Sequence, residues 1–443
     1  MRRPLTLCLA LLLGVLVASA FVGSVTAGGH AVTNAAGVGR DDAAGRLVAD
    51  PAAEAENAPA ATNSSYCEDG VQDSGAAYRI CTPTIPWNGD LVVYAHGYVA
   101  AHRPVTIPHD QLVLPGGDKT VDEIVTDQGF AFATTSYCTN GLAVRPALTD
   151  LVDVVDIFTT MWAVPDHVYL VGVSEGGLIT TLSVEQRPDV YDGGLALCGP
   201  YGDFQGQINH FGDFRVAFDY FFPDLMPGDP LSIPTSLQDD WGEGFFTDAV
   251  LPTITHPSNV TRVNQLLDVT DVSPYGYAHP TSTDSIEHLL WYNVFATNDG
   301  VAKLGGQPFD NLGPYRWYSG SSDDELLNDP VEGVARISAD QAAQEEIAAH
   351  YQTSGELSVP LVTMHTTGDE IVPYWHATRY RSKTILADNV ALHRHLEVDR
   401  HGHCNFTQVE LLSAFNYLVS LVENPPAYQP VTRVYLPSIS RAD

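Results

Sequence analysis

The sequence predicts an α/β fold, a mostly parallel sheet wrapped by helices, on two observations. From Ala77 onward, short apolar runs alternate with amphipathic stretches, the rhythm of strand, crossover helix and next strand. In the middle of that rhythm, an apolar run meets a glycine-rich turn that opens directly into a helical pattern.

Taken in order, residues 91–96 (LVVYAH) and 130–137 (FAFATTSY) read as buried strands. Leu148, Leu151, Val152, Val155, Ile157, Phe158 and Met161 fall at helical spacing and predict a crossover helix over 148–162. Residues 167–173 (HVYLVGV) form the next strand, 178–186 a helix and 195–198 a short strand. From about 200 to 338 the rhythm breaks into a segment rich in aromatics, proline and glycine, which reads as an inserted, largely helical cap. Its aromatics, among them Phe211, Phe214, Phe218, Trp241, Trp291 and Tyr292, are expected mainly to pack as the cap's own core. The alternation then resumes with a helix over 339–351, strands over 359–364 and 392–398, and a closing helix over 407–422.

The flanks differ from this core. Met1, Arg2 and Arg3 precede an apolar run from Leu5 to about Ala18, followed by small residues, so 1–27 reads as a secretory signal, too short to span a bilayer. Residues 28–65 are rich in Ala, Gly, Asn and Asp and read as a disordered leader. One domain is expected over 66–425, with a tail over 426–443 that reads equally as an edge strand or a sorting signal. Acidic residues outnumber basic ones 54 to 21, a net charge of −33, which argues against nucleic-acid binding and names no substrate. Of six cysteines, Cys8 lies in the signal, leaving an odd number. Cys67 and Cys81 flank a short polar turn where a disulfide suits an oxidising compartment. A second bridge among Cys138, Cys198 and Cys404 is open.

Gly172-Val173-Ser174-Glu175-Gly176 is a Gly-x-Ser-x-Gly pentapeptide between a strand and a helix. A serine there makes a turn so sharp that only glycine clears the flanking positions, which lifts its hydroxyl above the sheet. A serine hydroxyl needs a base to take its proton and a carboxylate to orient that base. Gly368-Asp369-Glu370 follows a buried strand, and Asp369, directly after the glycine, is favoured over Glu370. In His401-Gly402-His403 before the last helix, His403 is favoured over His401 because a glycine presents it on a tight turn. Backbone donors for an oxyanion are expected from Glu175, at the start of the helix, and from Tyr98 or Val99 after His96-Gly97.

This order of His-Gly strand exit, serine elbow, inserted cap, Gly-Asp turn and Gly-His turn resembles the α/β-hydrolase superfamily over roughly 77–422. The resemblance implies an eight-stranded, mostly parallel sheet and a Ser174, His403, Asp369 triad with Glu175 and Tyr98 as oxyanion donors, working without metal or other cofactor. One departure is that His96-Gly97-Tyr98-Val99 stands where many lipases and esterases carry three glycines. The expected activity is hydrolysis of a small-molecule or polymeric carboxylic ester by an exported enzyme with no stable membrane span after signal cleavage. The alternatives are an exported aminopeptidase-like serine peptidase, for which Asp239, Asp240 and Glu243 would have to hold an amine, and a non-catalytic binding relative.

Overall fold

The computed structural model describes residues 65–114, 118–272, 281–313 and 316–424. The expected signal, nearly all of the leader, and the C-terminal tail lie outside them.

Eight strands form one sheet in the order β1-β2-β4-β3-β5-β6-β7-β8. They are β1 Ser65–Val71, β2 Ala77–Pro83, β3 Leu91–Ala95, β4 Ala131–Thr135, β5 Val168–Val173, β6 Gly193–Leu197, β7 Leu361–Gly368 and β8 His393–His401. β1 pairs antiparallel with β2 and β2 antiparallel with β4, and every other pairing is parallel. All five residues of β3, β4 and β6 are buried, as expected of strands covered on both faces. This order, with a serine turn between β5 and the helix after it, is the α/β-hydrolase fold.

Helices α1 (Val121–Asp127), α2 (Val144–Met161) and α3 (Glu175–Gln186) follow the early strands. Next come the cap helices α4 (Phe204–Phe221), α5 (Thr235–Gly242), α6 (Leu251–Ile254), α7 (Val260–Val269), α8 (Thr281–Leu304) and α9 (Asp324–Leu327), and then α10 (Gln341–His350), α11 (Trp375–Leu386) and α12 (Gln408–Glu423). Val154 and Phe158 of α2, Ile179 and Leu182 of α3, Ile347 of α10 and Tyr380 of α11 cover one sheet face. Val125 of α1 with Phe415 and Leu418 of α12 cover the other. Phe214, Phe218, Phe222, Trp241, Phe246, Leu266 and Leu289 form a separate core inside the cap.

Because β4 lies on one side of β3 and β5 on the other, the chain reverses its winding at β3. The topological switch point, where sheets of this kind bind their ligands, therefore falls at the C-terminal ends of β3 and β5. The exit of β3 at His96 and the serine turn after β5 meet there.

The structure corrects several element boundaries. α2 begins at Val144 because Pro146 in its first turn costs no hydrogen bond. α3 begins at Glu175, before the glycines that lower the helical signal. The β1–β2 hairpin, α1 and α11 were not read from the sequence. The hairpin is short and its edge strand β1 has no buried residue, and only His376, Ala377, Tyr380 and Thr384 of α11 are buried.

Cys67 and Cys81 lie opposite each other in the β1–β2 register and form a disulfide. Cys198, just past β6, pairs with Cys404, just past β8, and Cys138 is an exposed free thiol. The bridges close chain separations of 14 and 206 residues. Loop-closure entropy makes them worth about 3 and about 5 kcal/mol respectively. Replacing Cys198 and Cys404 together by alanine should therefore lower the urea-unfolding free energy more than replacing Cys67 and Cys81. An equal or smaller loss would contradict that ordering.

Candidate active site

Ser174 caps α3 with φ 58° and ψ −119°, a conformation that costs an L-residue about 1–3 kcal/mol. Close packing on both sides holds it there. A Cβ at Gly172 would stand 2.0 Å from the Gly176 carbonyl oxygen, and one at Gly176 would stand 2.0 Å from that of Ala95. Any side chain at either position would push α3 away from β3 and β5. The Ser174 N–H donates to Leu197 O at 2.9 Å, and its own carbonyl accepts from Gly177 N at 2.8 Å. The half-buried hydroxyl is left projecting from the turn.

Two more turns bring His403 and Asp369 to it. His403 Nε2 is 2.8 Å from Ser174 Oγ, and His403 Nδ1 lies 2.8 and 3.0 Å from the two carboxylate oxygens of Asp369. Gly402, with φ 99°, reverses the chain ahead of His403. Its N–H donates to Gly368 O at 3.1 Å, and its carbonyl accepts from Thr366 Oγ1 at 2.8 Å, so the turn is tied to β7. The Cys198–Cys404 bridge ties the other side of the turn to β6, with Cys404 Sγ 3.3 Å from His403 Nε2. Asp369 also accepts the N–H groups of Ile371 and Val372 at 3.1 and 2.8 Å. His365 Nε2, buried in β7, lies 3.4 Å from its other oxygen.

The charges follow from these contacts. Burial opposes ionisation of Asp369, but the His403 and His365 rings outweigh it and hold the carboxyl well below its usual range. Burial likewise opposes the His403 cation, yet the Asp369 charge and hydrogen bond, aided by Glu370, leave its pKa raised. A neutral His403 thus donates Nδ1–H to Asp369 and accepts the serine proton at Nε2.

Glu370 and His401, the alternatives weighed from sequence, face elsewhere. Glu370 Oε1 takes a 2.8 Å bond from His288 Nδ1 on α8, and its carbonyl oxygen a 2.9 Å bond from His210 Nε2 on α4. His401 Nε2 is 4.0 Å from Glu370 Oε2. Glu370 therefore fastens two cap helices to the turn that carries Asp369.

On the β3 side, His96 stacks on Tyr137 with centroids 4.0 Å apart, and its Nδ1 lies 2.7 Å from Gly97 O. Burial draws its pKa down to about 4, so the ring is neutral. Gln111 clamps the exit loop, accepting Gly97 N–H at 2.7 Å and donating to Tyr98 O at 3.2 Å. That leaves the N–H of Tyr98 or Val99 as the expected donor from this loop, beside the first-turn N–H of Glu175, which has no partner within its own helix. The Glu175 carboxyl is buried and accepts Ala143 N–H at 2.9 Å. Burial raises its pKa to about 8 against the pull of that bond and of Lys303.

Across the crevice, Tyr292 of α8 stacks on Phe211 of α4 at 4.9 Å, and its ring lies 5.6 Å from that of Tyr98. The contacts of Gln111, His365 and His288 were missed from sequence; the one local signal was a histidine within the buried run 361–366. Among the described residues, the groupings close enough to share a metal ion are Cys198, His403 and Cys404, and Cys67, Cys81 and Asp122. In each the cysteines form a disulfide, which lacks the thiolate that ligates metal.

No family model and no curated protein matches the chain. Among solved structures it is similar to a Pyrococcus furiosus esterase, Pf2001, at 10% identity and TM-score 0.41, covering 80% of this chain and 90% of that one. It is similar to a point mutant of LipA, a rice cell wall degrading esterase from Xanthomonas oryzae, at 12% identity and TM-score 0.41, covering 81% and 89%. Similarity to a Pyrococcus horikoshii acylaminoacyl peptidase is 10% at TM-score 0.39, covering 81% of this chain but 42% of that one. At this level of likeness the fold is read from the chain's own strand order.

If His403 is the base, only its neutral form accepts the serine proton. Its raised pKa then puts the acid limb of kcat/KM above the usual histidine value of about 6.5, with activity lost as pH falls through it. Asp369→Asn should cut kcat about 10⁴-fold and move the limb downward, which a limb set by Glu175 would not do. A pH–rate profile on an aryl acetate that stays flat to about pH 5 would refute the assignment.

Proposed function

We propose that the protein is an exported serine hydrolase that cleaves carboxylic esters through an acyl-enzyme, with Ser174 as nucleophile, His403 as base and Asp369 as orienter. The unbroken run of hydrogen bonds Asp369–His403–Ser174, ending on the strained elbow, carries this reading. Ser174 Oγ attacks the acyl carbon while its proton passes to His403 Nε2. The carbonyl electron pair moves onto oxygen, facing the N–H groups of Glu175 and Tyr98. Collapse expels the alcohol, which takes the proton from His403. Water then repeats the sequence on the acyl-enzyme and releases the acid.

Ester is preferred over peptide because the acidic groups weighed as an amine anchor, Asp239, Asp240 and Glu243, are exposed on and just after α5. Solvated carboxylates at a surface gain little from holding an ammonium. Export is supported by the N-terminal segment and by two disulfides.

Wild type and Ser174→Ala should be compared on short and long aryl acyl esters and on aminoacyl anilides. Ester turnover that falls at least about 10³-fold in the variant is expected. Turnover that survives the substitution would sink the proposal, and activity confined to anilides would transfer it to the peptidase reading.

A further inference from the structure

We propose that Cys404 is a redox switch on His403: bonded to Cys198 it leaves the histidine free for Ser174, and as a thiol it gives the histidine its own proton. This rests on the reading of Ser174 as nucleophile and His403 as base.

One nitrogen carries two contacts. His403 Nε2 is 2.8 Å from Ser174 Oγ and 3.3 Å from Cys404 Sγ. In the disulfide that sulfur bears no hydrogen, so of the two neighbours only the serine hydroxyl offers Nε2 a proton. Reduction ends this arrangement. A free thiol titrates at about 8.5, and lower beside a histidine, so it gives up its proton far more readily than a serine hydroxyl does. The pair settles as thiolate and imidazolium, and an imidazolium cannot accept the serine proton.

The thiol stays where the bridge put it, because other bonds hold both ends. Cys404 directly follows His403, whose turn is tied to β7 by the Gly402 N–H on Gly368 O and by Thr366 Oγ1 on Gly402 O. Beyond it, Phe406 N–H donates to Cys404 O at 2.8 Å, and the Phe406 side chain is buried against the sheet. Arg400 Nη1 donates to Asn405 O at 2.6 Å. On the other side, Cys198 N–H donates to Met364 O at 2.8 Å.

Opening the bridge takes two electrons and two protons from a small dithiol. Its thiolate attacks the sulfur of Cys404, the less buried partner, and displaces Cys198, which takes up a proton. The second thiol then closes on the first, releasing Cys404 and leaving the reductant as a disulfide. The remaining proton is shared between Cys404 and His403. A disulfide oxidant reverses each step. The hydrolase is therefore held off in a reducing compartment and comes on where the bridge closes.

Cys198→Ala and Cys404→Ala both break the bridge, but only the first leaves a thiol beside His403. With p-nitrophenyl acetate, kcat of Cys198→Ala should lie at least about tenfold below that of Cys404→Ala, because a general base contributes about 10²–10⁴-fold. Methyl methanethiolsulfonate turns the Cys404 thiol into a methyl disulfide and so removes its proton. It should raise Cys198→Ala to the level of Cys404→Ala, a recovery that a lost tether would not show. Equal kcat in the two variants would overturn the proposal, as would no recovery once the adduct is confirmed by mass. Where either variant fails to fold, the intact protein decides: turnover should fall with dithiothreitol and return with its oxidised form. Full turnover with Cys198 and Cys404 both shown free by mass spectrometry would overturn the proposal equally. Ser174→Ala run alongside separates the two claims. If it retains turnover, the underlying reading fails. If it is dead while Cys198→Ala matches Cys404→Ala, only the inference about Cys404 fails.

Discussion

The site depends on how closely α3 approaches the ends of β3 and β5. Gly176 stands against the Ala95 carbonyl and Gly172 against that of Gly176, with no room for even a methyl group. That proximity forces Ser174 into its positive-φ conformation and brings the β3 exit loop alongside, where a Cβ on Gly97 would lie 3.3 Å from that of Ser174. One contact does two things: the turn that raises Ser174, the proposed nucleophile, also places it next to the expected donors. The strain is offset by the packing of a sheet covered on both faces, which cannot relax one turn without disturbing its neighbours.

Around this point the protein uses burial and charge in opposite senses. Asp369 is buried yet stays ionised because two histidines and two backbone N–H groups surround it. Glu175, also buried, receives one backbone hydrogen bond and is pushed up to about 8. Near neutrality the crevice therefore holds a firm negative charge at Asp369, behind His403, and a largely uncharged acid next to Ser174. A carboxylate at Glu175 would repel the developing oxyanion, so its suppressed ionisation favours the reaction. Glu370, next in sequence to Asp369, turns away from Ser174 and joins cap to core through His288 and His210.

How much of this was legible in the sequence follows from the range of each interaction. The elbow could be read because its glycines act within five consecutive residues, and Asp369 and His403 because each follows a recognisable strand and glycine. The cap's core could be anticipated from its aromatics, and Phe214, Phe218 and Trp241 do pack there. Phe211 packs against that core as well, and Tyr292 stacks on Phe211. The Cys198–Cys404 bridge was open because it joins the ends of β6 and β8, separated by β7 and by the whole cap. Gln111 lies in a short turn that shows no pattern until it is seen clamping Gly97 and Tyr98. The β1–β2 hairpin was missed because its register is fixed by a disulfide and an edge pairing, and its outer strand β1 buries no residue.

The central claim is that Ser174 is a nucleophile activated by His403, and covalent trapping tests it most directly. The intact protein would be treated with a fluorophosphonate, digested and mapped by mass spectrometry, alongside His403→Ala. The account predicts one stoichiometric adduct, on Ser174, formed far more slowly when His403 is absent. An adduct on another residue, no adduct, or labelling of Ser174 at an unchanged rate in the histidine variant would contradict it.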